Sequence, residues 1–223
     1  ETVRAERLSA ISTLASVIGH DLRNPLSVIN NAIFFLSSKI ESDDARVNRH
    51  LEIVRREIRQ ATRIIEELLD FSRDRAPQPA PAPLRVLLRD ALASRRIDGQ
   101  IRVEEELPAD LPLLYVDVVQ VRQALAHLLA NAIESMPEGG TLRVRAFACD
   151  AGVAVQIEDT GVGIPSEHRD RLFEPLFTTK PRGAGLGLAL VQRVVAAHHG
   201  TIRIESEDGQ GTTVTLLLPA AER

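Results

Sequence analysis

The stretch DRAPQPAPAPL, residues 74–84, carries prolines at 77, 79, 81 and 83. Proline fixes φ and lacks the amide a helix needs, so this run favours extended, semi-rigid backbone and cannot continue a helix. It marks a domain boundary. The apolar pattern has one period before it and another after it.

On the N-terminal side, Leu8, Ile11, Ala15, Ile18 and Leu22, then Ile29, Ala32 and Leu36, alternate steps of three and four, with Pro25 in the gap. That is a heptad seam. Val47, Leu51, Val54, Ile58, Ala61, Ile65 and Leu68 repeat it after a helix start in ESDDA, residues 41–45. Two long helices are therefore expected as an α hairpin. Their apolar stripes are too broad to be buried in a two-helix contact, so pairing with a second copy as a dimeric four-helix bundle is expected.

On the C-terminal side helical and alternating runs mix. Helices are expected over 84–95, 118–136 and 186–199, and strands over 101–106, 113–116, 141–149, 153–158, 201–206 and 212–218. Asp117 opens the second of these helices with Gln120 three residues on, the spacing of a capping box. The reading is an α/β sandwich. The divisions follow as a helical domain over 1–75, a proline-rich linker over 76–84 and an α/β domain over 85–223.

With 223 residues, 44% of them apolar, the chain can bury a real core, and a net charge of -4 gives no general argument for nucleic-acid binding. No apolar run approaches the roughly 20 residues of a membrane span, and the N-terminus lacks a signal-peptide pattern, so no membrane contact by this fragment is expected. Cys149 is the single cysteine, which excludes an internal disulfide, and no Cys/His spacing suggests zinc. A cytoplasmic setting is expected.

In SVIGHDLRNPLSVI, residues 16–29, the heptad places His20 at the position farthest from the seam, facing solvent. A surface histidine needs no explanation by itself. Here Asp21 adjoins it, and a carboxylate can take the proton of one ring nitrogen or fix the tautomer while the other acts as nucleophile. Pro25 removes a backbone bond and exposes the turn behind it.

Three stretches of the second domain suit a phosphorylated ligand. HLLANAIESM, residues 127–136, sets His127, Asn131 and Glu134 at helical spacings of four and three. IEDTGVGIP, residues 157–165, ends an expected strand in Asp159, Gly161 and Gly163, where a carboxylate can accept from an amine and glycines admit a ligand close to the backbone. RGAGLGLAL, residues 182–190, sets Gly183, Gly185 and Gly187 ahead of a helix, whose free amides and dipole attract phosphate. Each has a plain alternative, a satisfied core amide or a glycine turn. Their occurrence together and in this order is far more specific. The roughly twenty residues between Gly163 and Gly185 show no regular core element and suit a mobile functional loop.

Together these residues resemble the transmitter core of a two-component sensor histidine kinase. The phosphoacceptor pattern H-D/E-x-R-N/T-P-L is matched by His20, Asp21, Arg23, Asn24, Pro25 and Leu26. The second domain resembles the ATPase fold shared with gyrase, mismatch-repair proteins and heat-shock chaperones. Its N box is matched at Asn131, its G1 box at Asp159, Gly161 and Gly163, its F box by RLFEPLFTTK and its G2 box by GAGLGLAL. NAIESMPEGG and FTTK look closest to nitrogen-regulation kinases.

The resemblance implies a dimerisation and histidine phosphoacceptor domain followed by an ATP-binding catalytic domain. It implies that Asn131 is the ligand of a Mg²⁺ bridging the phosphates of ATP, and that Asp159 accepts from the adenine amino group. Gly161 and Gly163 would make room for the base. Gly183, Gly185 and Gly187 would bring the lid backbone to the phosphates, with Phe173 and Phe177 anchoring the lid and Lys180 and Arg182 meeting phosphate charge. His20 would be phosphorylated with help from Asp21, and the group passed to an aspartate of a response-regulator receiver domain docked near Asn31 and Phe35. Asn24 would orient water in a phosphatase reaction. Two departures stand out, His127 where Asn is common and Glu134 where Lys or Arg is common. The second removes a phosphate contact. Related hydrolytic ATPases carry Glu as base at the position of His127, so its absence favours transfer to protein. The rival reading is a non-catalytic nucleotide-binding dimeric scaffold.

Overall fold

The computed structural model describes residues 22, 25–36, 45–72, 75–93, 99–180 and 183–221. It divides into two compact units, Glu1–Asp74 with Pro175–Leu186, and Arg75–Glu174 with Gly187–Arg223.

In the first unit, residues 25–36 are helical (α1) and Ala45–Ser72 form a 28-residue helix (α2). The α2 stripe is buried only toward its C-terminal half, at Ile58, Ile65, Leu69 and Phe71. Along α1 the apolar residues stay open in the single chain, with Val28 67%, Phe34 69% and Phe35 60% exposed. Asn31 is exposed as well.

The second unit is built on a five-stranded sheet in the order β2-β4-β5-β7-β6, with β2 parallel to β4 and the other neighbours antiparallel. The strands are β2 Ile101–Glu106, β4 Gly140–Cys149, β5 Gly152–Asp159, β6 Thr201–Glu207 and β7 Gly211–Leu218. Three helices accompany it, α3 Leu84–Ala93, α4 Val118–Glu134 and α5 Gly187–Ala197. Leu125, Leu128 and Leu129 of α4, Val191 of α5, and Leu142, Val144, Val155, Ile157, Leu216 and Leu218 of the sheet are buried in its core. Each such side chain contributes about 1.5–3 kcal/mol by leaving water.

Alternation along β4 turns the intervening residues to the other face. Arg143 lies between Glu104 of β2 and Glu158 of β5, at 2.9 Å from each, and the two carboxylates raise its pKa, the Glu104 hydrogen bond most of all. Cross-strand charge pairs of this kind hold register.

A two-stranded sheet joins β1 Ala80–Ala82 to β3 Leu114–Val116, antiparallel, so part of the proline-rich stretch is itself a strand. The alternation of prolines explains how. Tyr115 N–H donates to Pro219 O at 2.9 Å on the far side of β3, and its partner Pro81 has no N–H to offer. Pairing across β1 and β3 therefore uses the even positions Ala80 and Ala82, and the prolines fall where no amide is needed.

The elements differ from the sequence reading mainly at their ends: β3 starts at Leu114, and α5 covers Gly187–Ala197. The stretch read as lacking any regular element holds a 3-10 turn, Ser166–Arg171. No described helix is long and apolar enough to cross a membrane.

Candidate nucleotide site

Helix α4 supplies the spine of the site. Its start is fixed by Asp117, whose Oδ1 accepts from the backbone N–H of Val119 at 3.0 Å and of Gln120 at 3.1 Å. From that start, His127, Asn131 and Ser135 fall four residues apart along one ridge, about 12 Å long at 1.5 Å per residue. His127 and Asn131 are half-buried, whereas Glu134 is exposed.

The two ends of the ridge meet different elements. At one end His127 packs against the first residue of α5, since a Cβ on Gly187 would stand 3.3 Å from His127 Nδ1. At the other, the Ser135 hydroxyl lies 2.8 Å from Oδ1 of Asp159, which ends β5 and is only 6% exposed. Asn131 sits between a helix N-terminus and a buried carboxylate.

Asp159 is oriented from two sides, because Oδ1 also accepts from Gly161 N–H at 2.9 Å. The Ser135 hydroxyl carries one hydrogen for two acceptors, Asp159 and Ala132 O at 2.7 Å. After Asp159 the loop threads between the C-terminus of α4 and the β6–β7 turn. Val162 N–H donates to Ser135 O at 3.0 Å, Ile164 N–H to Ser206 Oγ at 2.9 Å, and Gly209 N–H to Val162 O at 2.8 Å. Glycine is required here by the protein's own packing: a Cβ on Gly161 would collide with Ser135, and Gly163 has φ +70 with Glu207 O in the way. Ser135 is the residue that sequence reasoning missed. Its signal was the four-residue step from Asn131.

The glycine-rich segment divides between the two units. Gly187 belongs to the second, and Gly183 and Gly185 to the first. Within Pro175–Leu186 the loop closes on itself, with Leu176 N–H donating to Gly185 O at 2.9 Å and both residues at positive φ, 68° and 69°. Gly183 N–H donates to Lys180 O at 3.3 Å, and Lys180 N–H to Thr178 Oγ1 at 3.1 Å. Lys180, Phe173 and Phe177 are half-buried. His20, Asp21, Asn24 and Arg182 lie outside the described residues.

The foot of α4 departs from the expected capping box. The Asp117 half forms, but Gln120 does not return to the Asp117 amide. That N–H donates instead to Nε2 of His198 at 2.9 Å, and His198 Nδ1 lies 2.8 Å from Val194 O. The buried imidazole thus accepts at Nε2 and donates at Nδ1, which defines the neutral tautomer. Gln120 Nε2 donates to Arg75 O at 2.9 Å, and Asp117 Oδ2 accepts from Gln78 N–H at 3.0 Å. Burial is the largest influence on the Asp117 carboxyl and works to raise its pKa. The amides of Gln78, Gln120 and Val119, with the Arg75 charge, together hold it below the ordinary value.

Two family models match the chain: the His Kinase A (phospho-acceptor) domain over residues 10–77, and the histidine kinase-, DNA gyrase B- and HSP90-like ATPase over residues 116–222. The chain is 36% identical over 220 residues to the signal transduction histidine-protein kinase AtoS of Escherichia coli, covering 97% of this chain and 36% of AtoS. It thus spans about a third of that relative's length. Among solved structures, full-length ShkA in complex with AMPPNP superposes with a TM-score of 0.77 at 28% identity, over 95% of this chain and 46% of ShkA. Histidine kinase ThkA in complex with response regulator TrrA gives 0.70 at 25% identity, over 98% of this chain and 64% of ThkA.

Proposed function

The chain belongs to the two-component sensor histidine kinase family as its transmitter core, and we propose that it phosphorylates His20 from Mg²⁺-ATP and passes the group to an aspartate of a response regulator. The observation that carries this reading is the α4 ridge, with Asn131 between the buried Asp159 carboxylate and the first residue of α5. An acceptor for an amino group at one end and helix amides for phosphate at the other suit an adenine nucleotide laid along it.

In this reading Asp159 accepts from the adenine amino group, and Ser135 with the Gly161 amide orients it. Lys180, Arg182 and the amides at Gly183, Gly185 and Gly187 meet the phosphates. The described residues hold no group of three or more His, Cys, Asp or Glu side chains that could hold a metal ion. Asn131 as a lone protein ligand fits Mg²⁺, which keeps waters and takes most of its other ligands from phosphate. Bound there, the ion supplies charge neutralisation to the phosphates. His20 is the nucleophile, and transfer to it asks mainly for alignment. Asp21 accepts a hydrogen bond from the imidazole. Asn24 orients water in the reverse sense, against the regulator's phospho-aspartate. His127, standing where a hydrolytic ATPase carries its glutamate base, leaves no such base for water.

The open apolar surface of α1 supports a homodimer through the helical hairpin, and a receiver domain would dock near His20 using the exposed Asn31 and Phe35. ATP as donor and the lone unpaired cysteine support work in the cytoplasm. Placement among nitrogen-regulation-like kinases rests on NAIESMPEGG and FTTK alone.

The test is incubation with Mg²⁺ and γ-labelled ATP, intact chain against His20→Gln. Acid-labile label that disappears in the variant is expected. No label under conditions where ATP measurably binds refutes the kinase and leaves a nucleotide-binding scaffold.

A further inference from the structure

The chain from α2 to the ATP-binding unit is shorter than its prolines suggest. Ser72 ends α2, and Arg75 is already held by the foot of α4. Two contacts hold it there from different atoms. Gln120 Nε2 donates to the Arg75 carbonyl at 2.9 Å, and the Gln78 amide donates to Asp117 Oδ2 at 3.0 Å. Arg75 Nη2 reaches Gln78 Oε1 at 2.8 Å, which closes the segment on itself. Between Pro77 and Pro79, Gln78 is the one residue with an amide to give, and Asp117 takes it.

The receiving end is rigid. Asp117 is 5% exposed and uses both carboxylate oxygens, one on the α4 amides and one on Gln78. Its own amide is fixed on the buried His198 at the C-terminal end of α5. Three elements converge on one residue, the linker and α4 on the Asp117 carboxylate and the end of α5 on its amide. An ordinary capping box would have used Gln120 to satisfy the Asp117 amide. Because His198 does that, Gln120 is released to hold the linker.

We propose that Gln120 and Asp117 are positioning residues that latch Arg75–Gln78 to the ATP-binding unit and so set the length of tether over which that unit reaches His20. The inference rests on the kinase reading above. With the latch closed, Arg75–Gln78 is held to the foot of α4. With it open, and β1 still paired from Ala80, residues 75–79 are released and add five residues to the tether. A longer tether lowers the effective concentration of its two ends, so opening the latch lowers the rate at which that unit meets His20. Nucleotide binding, set by the far half of α4, is untouched by this change.

The experiment uses the full chain with Gln120→Met, which keeps volume and removes the donor, alone and combined with Gln78→Pro, which removes the amide bonded to Asp117. Trypsin cleavage after Arg75 reads the latch without reference to catalysis. The ATP KM and the first-order rate of His20 labelling at saturating ATP read its consequence. Faster cleavage at Arg75, a labelling rate lowered at least twofold in the double variant and a KM within twofold of the parent are expected. Unchanged cleavage overturns the latch. Faster cleavage with an unchanged or raised labelling rate overturns its role in reach, as does a KM that rises in step with the loss of rate. If the parent takes no label, it is the kinase reading that fails, and cleavage at Arg75 alone decides whether the latch exists.

Discussion

Replacing His199 by glycine should stabilise the protein, although it deletes a whole side chain. Helix α5 ends in a Schellman motif, with His199 N–H donating to Ala196 O at 3.0 Å and Gly200 N–H reaching back to Val195 O at 2.9 Å. The residue between must be left-handed, and His199 has φ 57. A non-glycine residue pays about 1–2 kcal/mol there, while glycine gives back about 0.5–1 kcal/mol through the freedom of its unfolded chain. The net gain is about 0.5–1 kcal/mol. His199 is exposed, so little packing is lost with its ring. The glycine of this turn stands one residue later, where the chain needs it for another reason: a Cβ on Gly200 would collide with Leu217 O in β7. Thermal unfolding of His199→Gly should rise by about 1–4 °C at this chain length, and His199→Ala, which keeps the backbone cost, should change little. A glycine variant that melts lower than the parent would refute the reasoning and give the histidine ring a role of its own.

Ser135→Ala should weaken nucleotide binding about three- to tenfold by calorimetric titration, the loss expected from one hydrogen bond that orients Asp159; an unchanged affinity would remove Ser135 from the site. Asp117→Asn turns an amide toward the Gln78 N–H or toward the helix amides, and should cost about 0.5–2 kcal/mol at neutral pH. Because the folded pKa of Asp117 is depressed, its contribution is fully present above the ordinary value of 3.8 and is lost as pH falls through the lower folded value. The difference in denaturant stability between parent and variant should therefore be constant from neutral pH down to about 4.5 and shrink in stronger acid. A difference that persists unchanged in acid, below the folded pKa, would deny that the ionised carboxylate is responsible.

What local spacing encodes was legible, and what depends on distant pairing was not. The step from Asp117 to Gln120 foretold the N-cap, because both bonds lie within three residues. It misplaced the Gln120 side chain, because the competing partner of the Asp117 amide is His198, 81 residues away. The prolines at 77–83 were read correctly as extended backbone, yet their period of two matches a strand with one bonded edge, which becomes visible only once β3 lies beside them. Asp159 and Asn131 were found as separate motifs. Ser135 relates them, by its amide to Asn131 O and its hydroxyl to Asp159, and only its four-residue step from Asn131 hints at this, since a serine at a helix end ordinarily needs no partner beyond its own turn.

These particulars give α4 two jobs at its two ends, and the helix between them explains why they should be separable. Residues four apart from His127 to Ser135 make the ridge proposed to hold the nucleotide, while Asp117 and Gln120 sit about two turns or more before it. The leucines at 125, 128 and 129 that lock α4 into the core are buried, so loss of a bond at its foot need not shift the ridge. Asp117 is the exception, because it both caps the helix and receives the linker. Substitution there should disturb helix stability and tether together, whereas Gln120 touches the linker alone through its side chain. Asp117 and Gln120 variants that lost His20 labelling to the same degree, with no difference in stability, would contradict this division of labour along a single helix.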